Sequence, residues 1–325
     1  MPDPSVVRLQ VVVNGIDGPL LKQFGCDCPR CLHPSRQANT SVSLLGLDEI
    51  GSPALHILFD VGQGVVDSLV ANPLLHGHVA RLDQICLTHW HPDHTLELNR
   101  LLVSFHHNRR RRGEPPTRTP LWCRSGSAAW LQREHSYDLT YTTLQATDEN
   151  LPPGRILESI AIDHDGLSIT PVTVSHFNAD RASNSNQVHY ACAAFVLETP
   201  QKKCVLLWDI DDQNSWLVNP HPAERPVVDL LSDADYLFVD ACYWNARPTR
   251  TSHPSFEQVC EIAGALSPAE TILVHLSGHP DGPGNPAFGW TNDRWQQEAH
   301  RQWQASTLPG KVTIPHIGQI FDLLS

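Results

Sequence analysis

The chain has 325 residues, 41% of them apolar, enough to bury a core and suited to one large α/β unit. Lys and Arg number 23 against 35 Asp and Glu, a formal charge of −12, so the surface as a whole should repel nucleic acid and anionic membranes. No apolar run follows a basic start and no long apolar stretch occurs, so neither a signal peptide nor a membrane span is expected.

Residues 6–13 are rich in β-branched side chains and predict a strand, followed by a loop at 14–19. Gly25-Cys26-Asp27-Cys28-Pro29-Arg30-Cys31 comes next. Thiolates at this spacing can converge on one ion, and a tetrahedral structural zinc would take its fourth ligand from elsewhere. The plain alternative is three unrelated reduced thiols. The other six cysteines (Cys86, Cys123, Cys192, Cys204, Cys242 and Cys260) are scattered, several of them in apolar runs. Such usage is that of reduced core cysteine, not a disulfide framework, and the expected location is cytoplasmic.

Residues 41–47 and 55–59 predict a strand pair, the second ending in Asp60-Val61-Gly62-Gln63-Gly64. Helices are predicted over 65–75 and 96–106. Between them, residues 82–87 read as a buried strand leading into Thr88-His89-Trp90-His91-Pro92-Asp93-His94. Four potential metal ligands thus fall within six residues at a strand's C-terminal end, where α/β proteins place chemistry. Imidazoles suit Zn, Mn or Fe, and the carboxylate adds a hard ligand for a second ion.

Prolines and a glycine predict a loop over 106–120, with four consecutive arginines at 109–112. Arg109, Arg110, Arg111 and Arg112 could grip phosphate bidentately, or simply lie solvated against acidic surface. The interleaved aromatics and basic domain of a nucleic-acid binder are missing. A strand at 119–123, a helix at 126–134 and a polar loop or lid at 136–156 follow.

Residues 167–175 form a predicted strand running into His176, and 178–188 a polar loop. Strands at 190–198 and 203–208 come next, the second running into Asp209. A strand at 236–239 ends in Asp240. A helix over 254–265 could be started by Ser252 or His253. The apolar strand 271–274 runs into His275, with His279 four residues on. A polar helix over 292–304 and strands at 311–314 and 319–323 close the sequence. No repeat and no linker is evident, so residues 1–325 are read as one domain.

The cluster His89-x-His91-x-Asp93-His94 resembles the signature of the metallo-β-lactamase superfamily. The resemblance implies an α/β fold, a four-layer αββα sandwich. It also implies that Asp60 supports the metal loop by hydrogen bonding without being a ligand. His176, Asp209 and His275 each follow an apolar strand, in the superfamily's order. With the first cluster they make seven ligands, enough for two ions. His89, His91 and His176 are assigned to one ion, Asp93, His94 and His275 to the other, and Asp209 to both. A hydroxide between the ions would attack an electrophilic centre. A leaving alkoxide also needs a proton, and His253, in Thr251-Ser252-His253-Pro254, is the candidate general acid. Asp93 and His253 are thus the residues assigned to catalysis.

The Gly-Cys-x-Cys-x-x-Cys run, taken with Leu58-Phe59-Asp60 and the histidine motif, resembles the PhnP group of the carbon–phosphorus lyase pathway. Those enzymes open five-membered cyclic phosphodiesters of ribose. The resemblance implies a structural zinc on Cys26, Cys28, Cys31 and His279, two catalytic divalent ions (Mn or Zn, with Fe a third candidate) and a homodimer. It also matches His253 to the group's catalytic histidine.

The chain departs from the group in three ways. His275-Leu-Ser-Gly-His279 has one residue more than the usual His-x-x-His. Thr95-Leu96-Glu97 stands where a glycine usually follows the Asp-His pair. Insertions lie near 106–118, 136–156, 178–188, 211–226 and 280–292.

The expected function is a dinuclear metallohydrolase acting on a small, cyclic phosphodiester, with no nucleic-acid or membrane partner. A lactonase or other ester hydrolase is the second reading. An RNase Z-like nuclease is the third, and the charge of −12 counts against it. A metal-binding biosynthetic accessory protein without turnover is the fourth.

Overall fold

Every residue of the strand Ser41–Leu47 is buried, which requires cover on both faces. The computed structural model supplies that cover, and it describes residues 6–180, 188–245, 252–277, 279 and 286–324. Among these residues thirteen strands form two sheets.

The first sheet contains β1 (Arg8–Gly15), β2 (Ser41–Leu47), β3 (Pro53–Phe59), β4 (Gln84–Cys86), β5 (Thr119–Cys123), β6 (Thr142–Ala146) and, beyond β1, β13 (Ile320–Leu324). The second runs β12 (Lys311–Thr313), β11 (Glu270–Val274), β10 (Tyr236–Asp240), β9 (Lys203–Leu207), β8 (Ala193–Glu198) and β7 (Ser168–Thr173). Phe59 of β3 meets Phe195 of β8 edge to face at 5.1 Å, in the apolar layer between the sheets.

Nine helices are described: α1 (Pro29–Leu32), α2 (Val65–Ala71), α3 (Pro92–Thr95), α4 (Leu98–Arg111), α5 (Ser125–Glu134), α6 (Phe177–Asp180), α7 (Arg225–Leu231), α8 (Phe256–Leu266) and α9 (Asn292–Ala305). Leu69 of α2, Leu98, Leu101 and Leu102 of α4 and Leu131 of α5 pack with Leu58, Ile85 and Leu121 outside the first sheet. Val227, Val259, Trp295 and Trp303 of α7, α8 and α9 bury their side chains in the larger core with the second sheet. The architecture is therefore the expected four-layer αββα sandwich of the metallo-β-lactamase fold. Among the described residues no helix is long and apolar enough to cross a membrane.

Strands β3 to β6 run parallel, as do β9 to β12. Their C-terminal ends therefore lie along one edge of each sheet. Asp60, His89, Asp209, Asp240 and His275 all sit at or just past such ends.

Several local expectations are corrected. The arginine run is not in a loop: residues 106–111 continue α4, because Leu98, Leu101 and Leu102 set a helical stripe and arginine tolerates a helix well. Cations in the last turn also favour the helix dipole. Glu114 then takes Arg109 and Arg112, while Arg112 also reaches the carbonyl of Gly77.

The span 136–156 is not one loop, for it holds a 3-10 turn (Asp138–Tyr141) and β6. As a mostly exposed edge strand, β6 carries no apolar alternation to announce it. The span 211–226 holds another 3-10 turn (Asp212–Leu217) and the start of α7. Ser255, and not Ser252 or His253, caps α8, in a capping box with Gln258. Residues 178–180 complete α6, whereas 181–187 and 280–285 lie outside the described residues.

Candidate metal centre

Three strand ends turn sharply at the site. Asp60, Asp209 and His275 follow β3, β9 and β11 with φ of 61°, 57° and 56°, in the left-handed region. Side chains there cost of order 1–3 kcal/mol each and persist where the surroundings fix them. The turn lets an extended strand present its next side chain straight into the cleft.

Two groups of donors result. His89, His91 and His176 offer ligand atoms within 4.8 Å of one another. So do Asp93, His94, Asp209 and His275. Asp209 lies between the groups: Oδ2 is 3.8 Å from His89 Nε2 and 3.2 Å from His275 Nε2, and it also contacts His94 Nε2. Asp209 Oδ1 is 3.7 Å from His176 Nε2. Asp93 Oδ2 is 3.3 Å from both His94 Nε2 and His275 Nε2. All seven predicted ligands are thus brought into one cluster.

A cation fits this arrangement better than hydrogen bonding does. His89 Nε2 is buried with no hydrogen-bond partner among the described residues, and His94 Nε2 and Asp209 Oδ2 are buried against each other without hydrogen-bond geometry. Leaving such atoms unsatisfied would be costly. Divalent ions bound at about 2.0–2.2 Å by imidazole and carboxylate would satisfy them.

The two groups differ electrostatically. Burial and the neighbouring imidazoles hold His89 well below its ordinary value, and burial lowers His91 and pushes His176 down to about 4. These rings are neutral and ready to coordinate. Burial opposes protonation of His94 and His275 too, but the surrounding carboxylates outweigh it and hold both well above the ordinary value. A cation entering that half must displace protons.

Asp60 is fully buried and stands behind the cluster. It accepts from Thr88 N at 2.8 Å, Thr88 Oγ1 at 2.7 Å, Trp208 Nε1 at 2.8 Å and His94 Nδ1 at 2.7 Å. Tying up Nδ1 fixes the His94 tautomer and leaves Nε2 for an ion. Asp60 itself is in neither donor group.

His253 stacks at 4.9 Å on His275 and lies 5.1 Å from His176. Its Nδ1 is 2.8 Å from Asp240 Oδ2 and 3.3 Å from Asp209 Oδ1. Burial opposes its charge, yet Asp240 and Asp209 outweigh burial and raise it above its ordinary value. Asp240 Oδ1 also lies 3.7 Å from His275 Nδ1.

Sequence reasoning noted Asp240 only as a strand end and gave it no role. The available signal was its position, matching Asp60 and Asp209 at the ends of other strands. Thr88 and Trp208 were missed because neither residue type signals a partner for a carboxylate.

Far along the chain, Cys26, Cys28 and Cys31 gather around His279, with Nε2 at 3.2, 3.2 and 3.3 Å from the three sulfurs. The extra residue between His275 and His279 does not prevent this. Three thiols and an imidazole at these separations suit a tetrahedral zinc. The Arg109–Arg112 segment, by contrast, begins about 16 Å along α4 from Leu98.

A family model described as a beta-lactamase superfamily domain matches residues 56–276. The chain belongs to the beta-lactamase superfamily. Its fold is one that holds divalent metal ions. Among curated proteins, none matches the sequence.

Solved structures share the superfamily fold over nearly the whole chain. A new diphosphatase from the PhnP family is 19% identical with a TM-score of 0.64, covering 98% of this chain and 100% of its own. The metallo-beta-lactamase fold protein YhfI from Bacillus subtilis is 17% identical with a TM-score of 0.62, covering 97% and 99%. Zn(2+)-bound PqqB from Methylobacterium extorquens is 15% identical with a TM-score of 0.62, covering 97% and 100%. At these identities the likeness is one of fold.

Proposed function

We propose that this superfamily member is a dinuclear metal-dependent phosphodiesterase of the PhnP type, acting on a small cyclic phosphodiester. We take residues 1–325 as one catalytic unit with loop insertions. The observation that carries the reading is the His253–Asp240 pair set against a two-cation donor cluster. A nucleophile-generating centre and a proton donor lie side by side.

His89, His91 and His176 would hold one ion and Asp93, His94 and His275 the other, with Asp209 placed between the two groups. Divalent ions bound there would supply Lewis acidity toward a phosphodiester and lower the pKa of a nucleophilic water. Mn and Zn both suit these donors, and Fe is a third candidate. Cys26, Cys28, Cys31 and His279 would hold a structural zinc.

The protein's own residues do the rest. Asp240 holds Nδ1 of His253, which leaves Nε2 to carry the proton. His253 then hands that proton to the leaving alkoxide of the opened ring. Asp60 keeps His94 in the tautomer that coordinates. A PhnP-family diphosphatase shares this fold, which is compatible with phosphoryl chemistry.

The test is hydrolysis by the metallated protein of bis-p-nitrophenyl phosphate, a five-membered ribose cyclic phosphate, and a lactone. Cleavage of the phosphodiesters is expected, with His253→Ala lowering kcat about 10²–10⁴-fold at unchanged metal content. Turnover of the lactone alone would replace the phosphodiesterase reading with an ester hydrolase. No turnover with all three ions bound would leave an accessory protein.

A further inference from the structure

Arg30 lies inside the cysteine knuckle, between Cys28 and Cys31, yet it is only 2% exposed. A guanidinium so deeply buried needs partners, and it has three. Nη1 donates to the Trp290 carbonyl at 3.1 Å and to Asn292 Oδ1 at 2.9 Å. Nη2 forms an ion pair with Asp17, itself 3% exposed.

Asp17 belongs to a short segment wedged against the His275 strand end. Leu276 N donates to the Ile16 carbonyl, and Gly18 N to the Leu276 carbonyl, both at 3.0 Å. Thr40 Oγ1 accepts from His275 N at 3.0 Å and donates to the Asp17 carbonyl at 3.2 Å. A Cβ on Gly18 would lie 3.3 Å from the His275 carbonyl oxygen and 3.5 Å from its Nδ1, so the segment runs close beside the ligand with room for little more than glycine. His275 is thereby held in its left-handed conformation from one side.

From the other side, His279 is drawn to the three cysteine sulfurs. Two routes therefore join the knuckle to His275. One runs through four residues of backbone to His279. The other runs through Arg30, Asp17 and the backbone bonds of Leu276.

We infer that Arg30 is a positioning residue that couples the cysteine site to the catalytic cations. Filling the knuckle fixes Arg30, which fixes residues 16–18 and so the backbone that aims His275. The coupling is reciprocal, as any linkage between two binding sites must be. The inference rests on the metal sites proposed above and not on the substrate.

The test is a Mn²⁺ titration of protein that holds zinc in the knuckle and has been stripped of catalytic ions. Removing Arg30 alone would strand a buried carboxylate, so the variant is Arg30→Met with Asp17→Asn, where the amide oxygen can still accept from Ala38 N. Wild type should take two Mn²⁺. The variant should keep its zinc, judged by thiolate charge-transfer absorption after Co²⁺ substitution. It should bind one of the two Mn²⁺ ions at least about tenfold more weakly, with the other little changed. Equal affinities for both ions would overturn the inference, even if the melting temperature fell.

The reciprocal arm uses wild type alone and tests whether the two sites are coupled at all, should the variant fail to fold or to hold zinc. The zinc affinity of the knuckle, measured by competition with a chelator at equilibrium, should rise about tenfold when the catalytic ions are bound. An unchanged zinc affinity would overturn the coupling. Uptake of fewer than two Mn²⁺ by wild type would instead break the dinuclear reading on which the inference stands.

Discussion

Asp240 faces two imidazoles, with one carboxylate oxygen toward His253 and the other toward His275. Its own carboxyl resists burial because those rings hold it below the usual carboxylate range. The same attraction raises His253, so the acid form survives to higher pH than an isolated histidine would allow. Asp240→Asn removes that charge. The acid form of His253 is then lost at lower pH, and the alkaline limb of the kcat/KM profile should move to the acid side. A pH–rate profile checks this, and a limb that stays in place would mean that another group donates the proton. The seven clustered histidines and aspartates were legible because each type announces its chemistry and each follows an apolar strand. Asp240 was not, since an aspartate at a strand end looks the same whether it binds a metal, orients a histidine or only turns the chain.

At the scale of elements, the Asp60–Gly64 turn and the histidine loop fit together closely. Val61 N donates to the His94 carbonyl at 2.8 Å, and Glu97 N to the Val61 carbonyl at 2.9 Å. A Cβ on Gly62 would sit 1.8 Å from the Asp93 carbonyl oxygen and 2.6 Å from Asn39 Cβ. Backbone, not a flexible side chain, stands in the way. Gly62→Ala must therefore push the histidine loop off its support, at about 1–3 kcal/mol or more. Reduced catalytic metal per chain, with zinc retained in the knuckle, is the expected result by elemental analysis alongside a thermal melt.

Elements with strong apolar periodicity were readable in advance, among them α4 from Leu98, Leu101 and Leu102. Its C-terminal end was not, because proline and glycine farther on outweighed four arginines that a helix accepts readily. β6 hid for the opposite reason. It gains its hydrogen bonds from β5 while leaving most of its side chains in water.

Across the whole molecule, the division of strands between two sheets follows from where the histidines and aspartates must meet. The placing of β13 does not. Sequence neighbours usually pair, yet β12 extends the second sheet while β13 crosses to the first and pairs antiparallel with β1. That choice rests on contacts between distant parts of the chain, with Phe321 and Leu323 buried on arrival. A chain stopped after Gly318 would lose both side chains from the core, roughly 3–6 kcal/mol of burial, and expose the edge of β1. It should sediment as aggregate under conditions where the full chain stays dispersed, as a soluble-fraction assay would report.

The β1–β13 ladder also sets a clock on synthesis. Val12 pairs with Ile320, so β1 waits for roughly 300 residues before its outer neighbour exists. At about 5–20 residues per second, that wait lasts about 15–60 s. Throughout it, the nascent chain displays an unpaired row of amides and carbonyls on β1. For this protein the hazardous interval is therefore governed by the ribosome's pace and by whatever shields the emerging strand, before the finished sandwich has any stability of its own to draw on.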